Sequence, residues 1–289
     1  AYCERTDAEY WSEPLNAVTN AAFLAAALWV WGLTRGYGLA RVLAVNLGVI
    51  GVGSWMFHTQ ATRIAGLADV LPIAAFILIY ILAASRDLLG LRTGWAFAAA
   101  AAFLPYAAAT VPVWSLLPGL GSSAGYMPVP VLILFHAWLL RYRNPEAARG
   151  FMLGAGLLLI SIAFRSADGP FCAALPVGTH FIWHLMNAVM LAHMIRVLVR
   201  GRRDGLALRA GALRRRGIDA ETIARTLHAE RRALSTRFKD ITPEPLRTVI
   251  HDRTVAVYGD PLGPTIEFLR AQGKSWNEII DGATRHGPL

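Results

Sequence analysis

Residues 54–69 read SWMFHTQATRIAGLAD, and how they are read decides the fold. His58 and Asp69 lie here between long apolar runs, where a bilayer would demand apolar side chains. Ionisable groups in such a place are costly and mark function. Late in the chain another apolar run, residues 178–199, carries His180 and His184. Their spacing of four puts both imidazoles on one helical face. Three neutral imidazoles with an open fourth position are the ligand set of a catalytic zinc site, whereas a structural site closes the tetrahedron with a fourth protein ligand. The residues therefore read as a zinc hydrolase inside a membrane.

Working outward, seven apolar stretches of roughly the ~20 residues that cross a bilayer follow one another. They cover residues 14–33, 39–58, 66–84, 94–111, 126–140, 147–164 and 178–199. The fold expected is all-α, a polytopic seven-transmembrane helix bundle. The fifth stretch is short and broken by Pro128 and Pro130, with Tyr126 and Trp138 placed as interfacial anchors. A mean hydropathy of +0.42 and 16% charged residues in a chain of 289 exclude an ordinary soluble globule.

Charge divides the chain near Arg200, into a seven-span domain (residues 1–200) and a basic helical module (201–289). Residues 1–200 contain no lysine, and roughly half of all charges fall in the last third. In the first part Arg35, Arg41, Arg86, Arg92, Arg141, Arg143, Arg149, Arg196, Arg200, Arg202 and Arg203 gather on one side of the seven spans. Arg5, Arg63 and Arg165 fall on the other. The positive-inside rule then places the N-terminus outside and the C-terminus in the cytoplasm. Membrane topology accounts for the net charge of +9, so no nucleic-acid partner is expected. The arginine bias suggests a bacterial inner membrane. The polar, acidic N-terminus lacks the pattern of a cleavable signal peptide.

This topology puts Ser54, His58, Asp69, His180 and His184 at one depth, near the outer leaflet. Cys3 and Cys172 fall on the same outer face, where a disulfide is permitted. In the module, residues 220–238 read as an amphipathic helix with Ile223, Leu227 and Leu234 on one side. Two short helices follow at 264–272 and 275–283, the second opened by a Ser275–Glu278 capping box. The module reads as a solvated interaction element of unknown partner, or one docking Arg214, Arg215 and Arg216 on anionic lipid heads.

Each candidate has a plainer reading. His180 and His184 can be interhelical hydrogen-bonding residues or haem ligands, although haem leaves Ser54 and Asp69 unexplained. Asp69 can cap a helix or orient an imidazole. In the catalytic reading it takes a proton from the attacking water and passes it to a leaving nitrogen. Ser54, one turn before His58, can be a small packing residue or a donor to a developing oxyanion. Glu4, Asp7, Glu9 and Glu13 can form a solvated helix cap, with Glu13-Pro14 as a helix start, or gather a hard cation such as calcium. His136 and His193 are read as structural.

The pattern Ser54-x3-His58-x10-Asp69, followed by His180-x3-His184, resembles the alkaline ceramidase family. That family belongs to a superfamily of seven-span membrane hydrolases that includes the adiponectin receptors. The likeness covers about residues 1–200. It implies zinc held by His58, His180 and His184, and hydrolysis of the ceramide amide, or that of a related N-acyl membrane lipid, to a sphingoid base and a fatty acid. Asp69 would be the proton shuttle and Ser54 the oxyanion donor. Tyr2-Cys3-Glu4 and Glu13-Pro14-Leu15-Asn16 resemble the family's N-terminal calcium loop, which implies calcium at Glu4, Asp7 and Glu13. Cys3 and Cys172 match its disulfide positions. Two departures weaken the calcium expectation: Ala1 replaces an acidic residue, and Arg5 adds a positive charge. The competing functions are a zinc-containing receptor or sensor, in which a protein side chain fills the fourth metal position, and a lipid esterase or phospholipase of the same superfamily.

Overall fold

A computed structural model describes residues 2–203 and 205–284, apart from the side chains of several residues between 203 and 241. Contacts divide the chain into two units, one up to Arg202 and one from Arg203. Every regular element among the described residues is helical.

The first unit holds α1 (Pro14–Thr19), α2 (Ala21–Trp31), α3 (Gly38–Gln60), α4 (Arg63–Asp87), α5 (Thr93–Trp114), α6 (Pro128–Leu140), α7 (Pro145–Phe171) and α8 (His180–Arg203). Seven spans are long and apolar enough to cross a membrane, α1 and α2 together making the first. Leu43, Leu47, Phe151, Ile195 and Leu198 are buried between the helices, while Leu28, Trp95 and Leu116 stay exposed on the outside. Outward-facing large apolar residues suit hydrocarbon as solvent.

The prolines of the fifth span open α6 rather than break it. Pro128 stands at its first position, where a missing N–H costs nothing, and a short 3-10 turn at Gly121–Tyr126 precedes it. Tyr126 packs on Trp183, ring centroids 4.8 Å apart, and lines a cavity. Trp138 remains exposed, with Arg141 over its ring at 4.4 Å.

Helices α3 and α4 make the closest approach that matters for the site. Pro72, inside α4, has no N–H to offer the Ala68 carbonyl one turn back. That carbonyl faces Gly53 of α3, where any Cβ would overlap it. Only glycine allows this contact, and the residues that follow each partner are Ser54 and Asp69.

The second unit contains α9 (Gly205–Arg215), α10 (Ala220–Ile241), α11 (Leu246–Tyr258), α12 (Ile266–Ala271) and α13 (Trp276–Thr284). Ala210, Ile223, Leu227, Ile279 and Ile280 form its core. The side chain of Leu234 lies outside the described residues. The capping box forms as expected: Glu278 accepts from the Ser275 N–H at 2.8 Å, and the Glu278 N–H donates to the Ser275 hydroxyl. Helices α9 and α11 were not expected. In α11 Leu246, Val249 and Val257 stay exposed, so no buried stripe marks it in the sequence. Arg214 donates to Asn277 at 3.2 Å, and the side chain of Arg215 lies outside the described residues.

Candidate metal centre

His58 stands in the last turn of α3, His180 is the first residue of α8, and His184 follows one turn later. All three are buried. Each offers a ring nitrogen, and the three nitrogens lie within 4.8 Å of one another, close enough to hold an ion. Among the described residues this is the one group of three or more His, Cys, Asp or Glu side chains with that property.

The rings are held by the N-terminal segment. The Thr19 hydroxyl donates to the Leu15 carbonyl at 2.8 Å, so it accepts from Nδ1 of His184 at 3.0 Å. Glu13 takes Nδ1 of His58 at 2.5 Å. Both contacts put the proton on Nδ1 and leave Nε2 with a free lone pair, as metal-binding imidazoles require. Tyr2 stacks on His180, centroids 3.6 Å apart. His180 keeps a buried Nδ1 with no protein partner. An unsatisfied buried polar atom costs about 1–3 kcal/mol, which an ion-binding role would explain. This orphaned nitrogen and the all-imidazole donor set fit zinc.

Asp168 of α7 places the start of α8. It accepts from the N–H groups of Thr179 and His180 at 2.8 and 3.0 Å, and from the Cys3 N–H at 3.0 Å. Gly178 is required beside it: its φ is +65°, and a Cβ would strike the Asp168 carboxylate. Cys3 and Cys172 are bridged, Cα atoms 5.2 Å apart. Tyr2, Cys3, Glu13 and Thr19 thus come from one short stretch tied to the bundle.

Ser54 and Asp69 line the cavity that also holds Tyr2, Arg165, His180 and His184. Asp69 is within reach of the Ser54 hydroxyl. Arg165 donates to Ser122 and Ser123 at 2.8 and 3.0 Å and lies over the rings of Tyr126 and Trp183. Burial pushes the Tyr2 phenol up to about 12, against the opposing Arg165 guanidinium, so Tyr2 stays neutral, and its hydroxyl accepts from Arg165 at 3.3 Å. A second, apolar pocket shares Phe76, Val129, Met190 and Leu191 with this one and is lined also by Tyr80 and Phe151.

The expected calcium carboxylates Glu4, Asp7 and Glu13 each have partners within the N-terminal segment or the bundle. Glu4 accepts from the N–H groups of Leu15 and Asn16 at 2.6 and 2.8 Å, capping α1. Asp7 is exposed and holds its own turn through the N–H of Glu9. Glu13 pairs with Arg5 and His58. Burial alone would raise the Glu13 carboxyl, but hydrogen bonds from His58, Arg5 and Asn16 hold it below the ordinary value. His136 and His193 lie apart, bonded to the carbonyls of Leu132 and Gly150 at 3.0 and 2.9 Å.

Pairing alone pointed to the three histidines, but not to Thr19, Arg165 or Asp168. Asp168 had one available signal, an acidic residue near the end of an apolar run. The family described as Ceramidase matches residues 1–203. The chain belongs to that family, whose name denotes hydrolysis of a lipid amide. No curated protein matches the chain.

Proposed function

We propose, with membership of the ceramidase family as the premise, that this chain is a zinc-dependent intramembrane amidase. Its substrate is ceramide or a related N-acyl lipid, cut to a sphingoid base and a fatty acid. The observation that carries the reading is the buried histidine triad, with Asp69 and Ser54 on the wall of the cavity that His180 and His184 line. A zinc ion at such a site supplies Lewis acidity, lowering the pKa of water and polarising a carbonyl.

The chain's own residues do the rest. His58, His180 and His184 hold the ion, with Glu13 and Thr19 fixing two of the rings. Asp69 takes the proton from the attacking water and delivers it to the amide nitrogen as the C–N bond breaks, so the amine leaves neutral and the acyl group departs as the acid. Ser54 donates to the oxygen that gains negative charge. The apolar pocket that shares Phe76, Val129, Met190 and Leu191 with this cavity suits an alkyl chain.

Calcium has no place in this proposal, because Glu13 is already neutralised by Arg5. A fourth protein ligand would have favoured the sensor reading; the group has three among the described residues. We place the centre at the outer-leaflet end of the bundle, with the N-terminus outside, the C-terminus in the cytoplasm and the protein in a bacterial inner membrane. The Cys3–Cys172 bridge supports the outward placement, since disulfides persist in oxidising compartments.

Metal analysis of the purified protein, with mass spectrometry of products from paired amide and ester lipids, tests the reading. Stoichiometric zinc and amide cleavage are expected, and His180→Ala should lose both. Full turnover by metal-free protein would refute the zinc mechanism.

A further inference from the structure

The carboxylate that holds His58 is itself held by a cation. Arg5 donates through Nε to Glu13 Oε1, through Nη2 to the His58 carbonyl at 2.8 Å, and through Nη1 to the Asp7 carbonyl at 3.4 Å. The other Glu13 oxygen, Oε2, receives Nδ1 of His58 at 2.5 Å and the Asn16 amide at 3.1 Å. The side chains of Arg5, Glu13 and His58 are 12%, 3% and 1% exposed.

We propose that Arg5 is a positioning residue for the metal centre: its guanidinium, set among oxygens, holds Glu13 against His58 and so fixes the ring that faces the ion. The inference rests on reading the histidine triad as a metal site.

Three physical points carry it. A carboxylate as buried as Glu13 needs a partner charge to remain ionised, and a guanidinium stays protonated at every working pH. The His58 carbonyl lies in the last turn of α3, where carbonyls have lost their helical partners. Arg5 satisfies that carbonyl directly and steers the imidazole of the same residue through Glu13. One side chain therefore grips His58 at backbone and ring, from a position 53 residues away. Moreover, the planar fork of arginine reaches two oxygens in fixed directions, which the single ammonium of lysine does not.

The test uses the full chain in detergent, stripped of metal. Zinc is titrated against a chromophoric chelator, and the visible spectrum of the cobalt-substituted protein is recorded. Glu13→Gln and Arg5→Ala should each weaken zinc binding about 10–100-fold, the usual cost of losing a group behind a ligand, and shift the cobalt bands. Arg5→Lys should recover part of the affinity. Should Arg5→Ala fail to fold, Arg5→Lys, which keeps the charge but not the planar fork, decides the matter, with zinc affinity below that of the unaltered protein expected. Unchanged zinc affinity and an unchanged cobalt spectrum in the folded variants would overturn the role of Arg5. If His180→Ala lost the metal in that same experiment, the zinc reading would stand; absence of metal binding by the unaltered protein would end both.

Discussion

The two units treat charge in opposite ways. Up to Arg202, Glu13, His58 and Asp168 are buried, Glu13 and His58 being bonded across 45 positions and Asp168 to Cys3 across 165. From Arg203 onward the ion pairs are at least partly open to solvent, whether local, as between Arg225 and Glu221, or distant in sequence, as between Arg232 and Asp260. Exposed pairs contribute about 0–1 kcal/mol, and removing one changes little. Buried charges without partners cost far more, so a fold retains them where something depends on them.

The comparison breaks most visibly at Asp69. Asp69→Asn should lower kcat by about 10²–10⁴-fold, the usual contribution of a general acid–base, with zinc content unchanged. An undiminished rate would remove Asp69 from the mechanism.

In the second unit the damage should be to stability alone. Leu227 is fully buried among Ile223, Ile279 and Ile280, so Leu227→Ala should cost about 2–5 kcal/mol, read as a lowered melting transition. Turnover and bound zinc should stay at their original values; a parallel fall in both would mean the units are not functionally separate.

Gly53→Ala joins the two kinds of effect. A methyl against the Ala68 carbonyl should cost about 1–3 kcal/mol of overpacking and spread α3 from α4, so thermal stability and turnover should drop together. Loss of stability with normal turnover would show that the α3–α4 approach does not set the Ser54–Asp69 register.

The smallest effect belongs to surface carboxylates of the second unit. Hydrogen bonds to Thr222, to Arg232 and to Ser275 hold Asp219, Asp260 and Glu278 below their ordinary values. Folding then lowers their pKa, so their contribution is present above the unfolded value of about 4 and fades as pH falls through and below it. Melting of this unit followed from neutral to acid pH should show only a shallow loss before its core gives way. A steep collapse above that range would point to a titrating group of another kind.

Apolar length and arginine placement made the seven spans legible before any coordinates, because crossing a bilayer imposes a length of run that composition alone records. Pro128 and Pro130 misled for a local reason: proline reads as a break unless the position of the first helical residue is known. Helix α11 escaped notice because its apolar residues are not confined to a buried stripe.

The histidine triad was legible as a pair at helical spacing plus a remote third member, and so was the pairing of Ser54 with His58 on one face. What sequence could not show was who holds those rings. Thr19 reaches His184 across 165 positions, Glu13 reaches His58 across 45, and Asp168 gathers Cys3, Thr179 and His180. Periodicity reports contacts one turn away, whereas these partners are brought together only by the packing of the N-terminal segment onto α3, α7 and α8. The amino-acid order therefore determined the spans and the candidate ligands; the tertiary structure decided their supports, because a hydrogen bond between distant residues leaves no repeat in the chain.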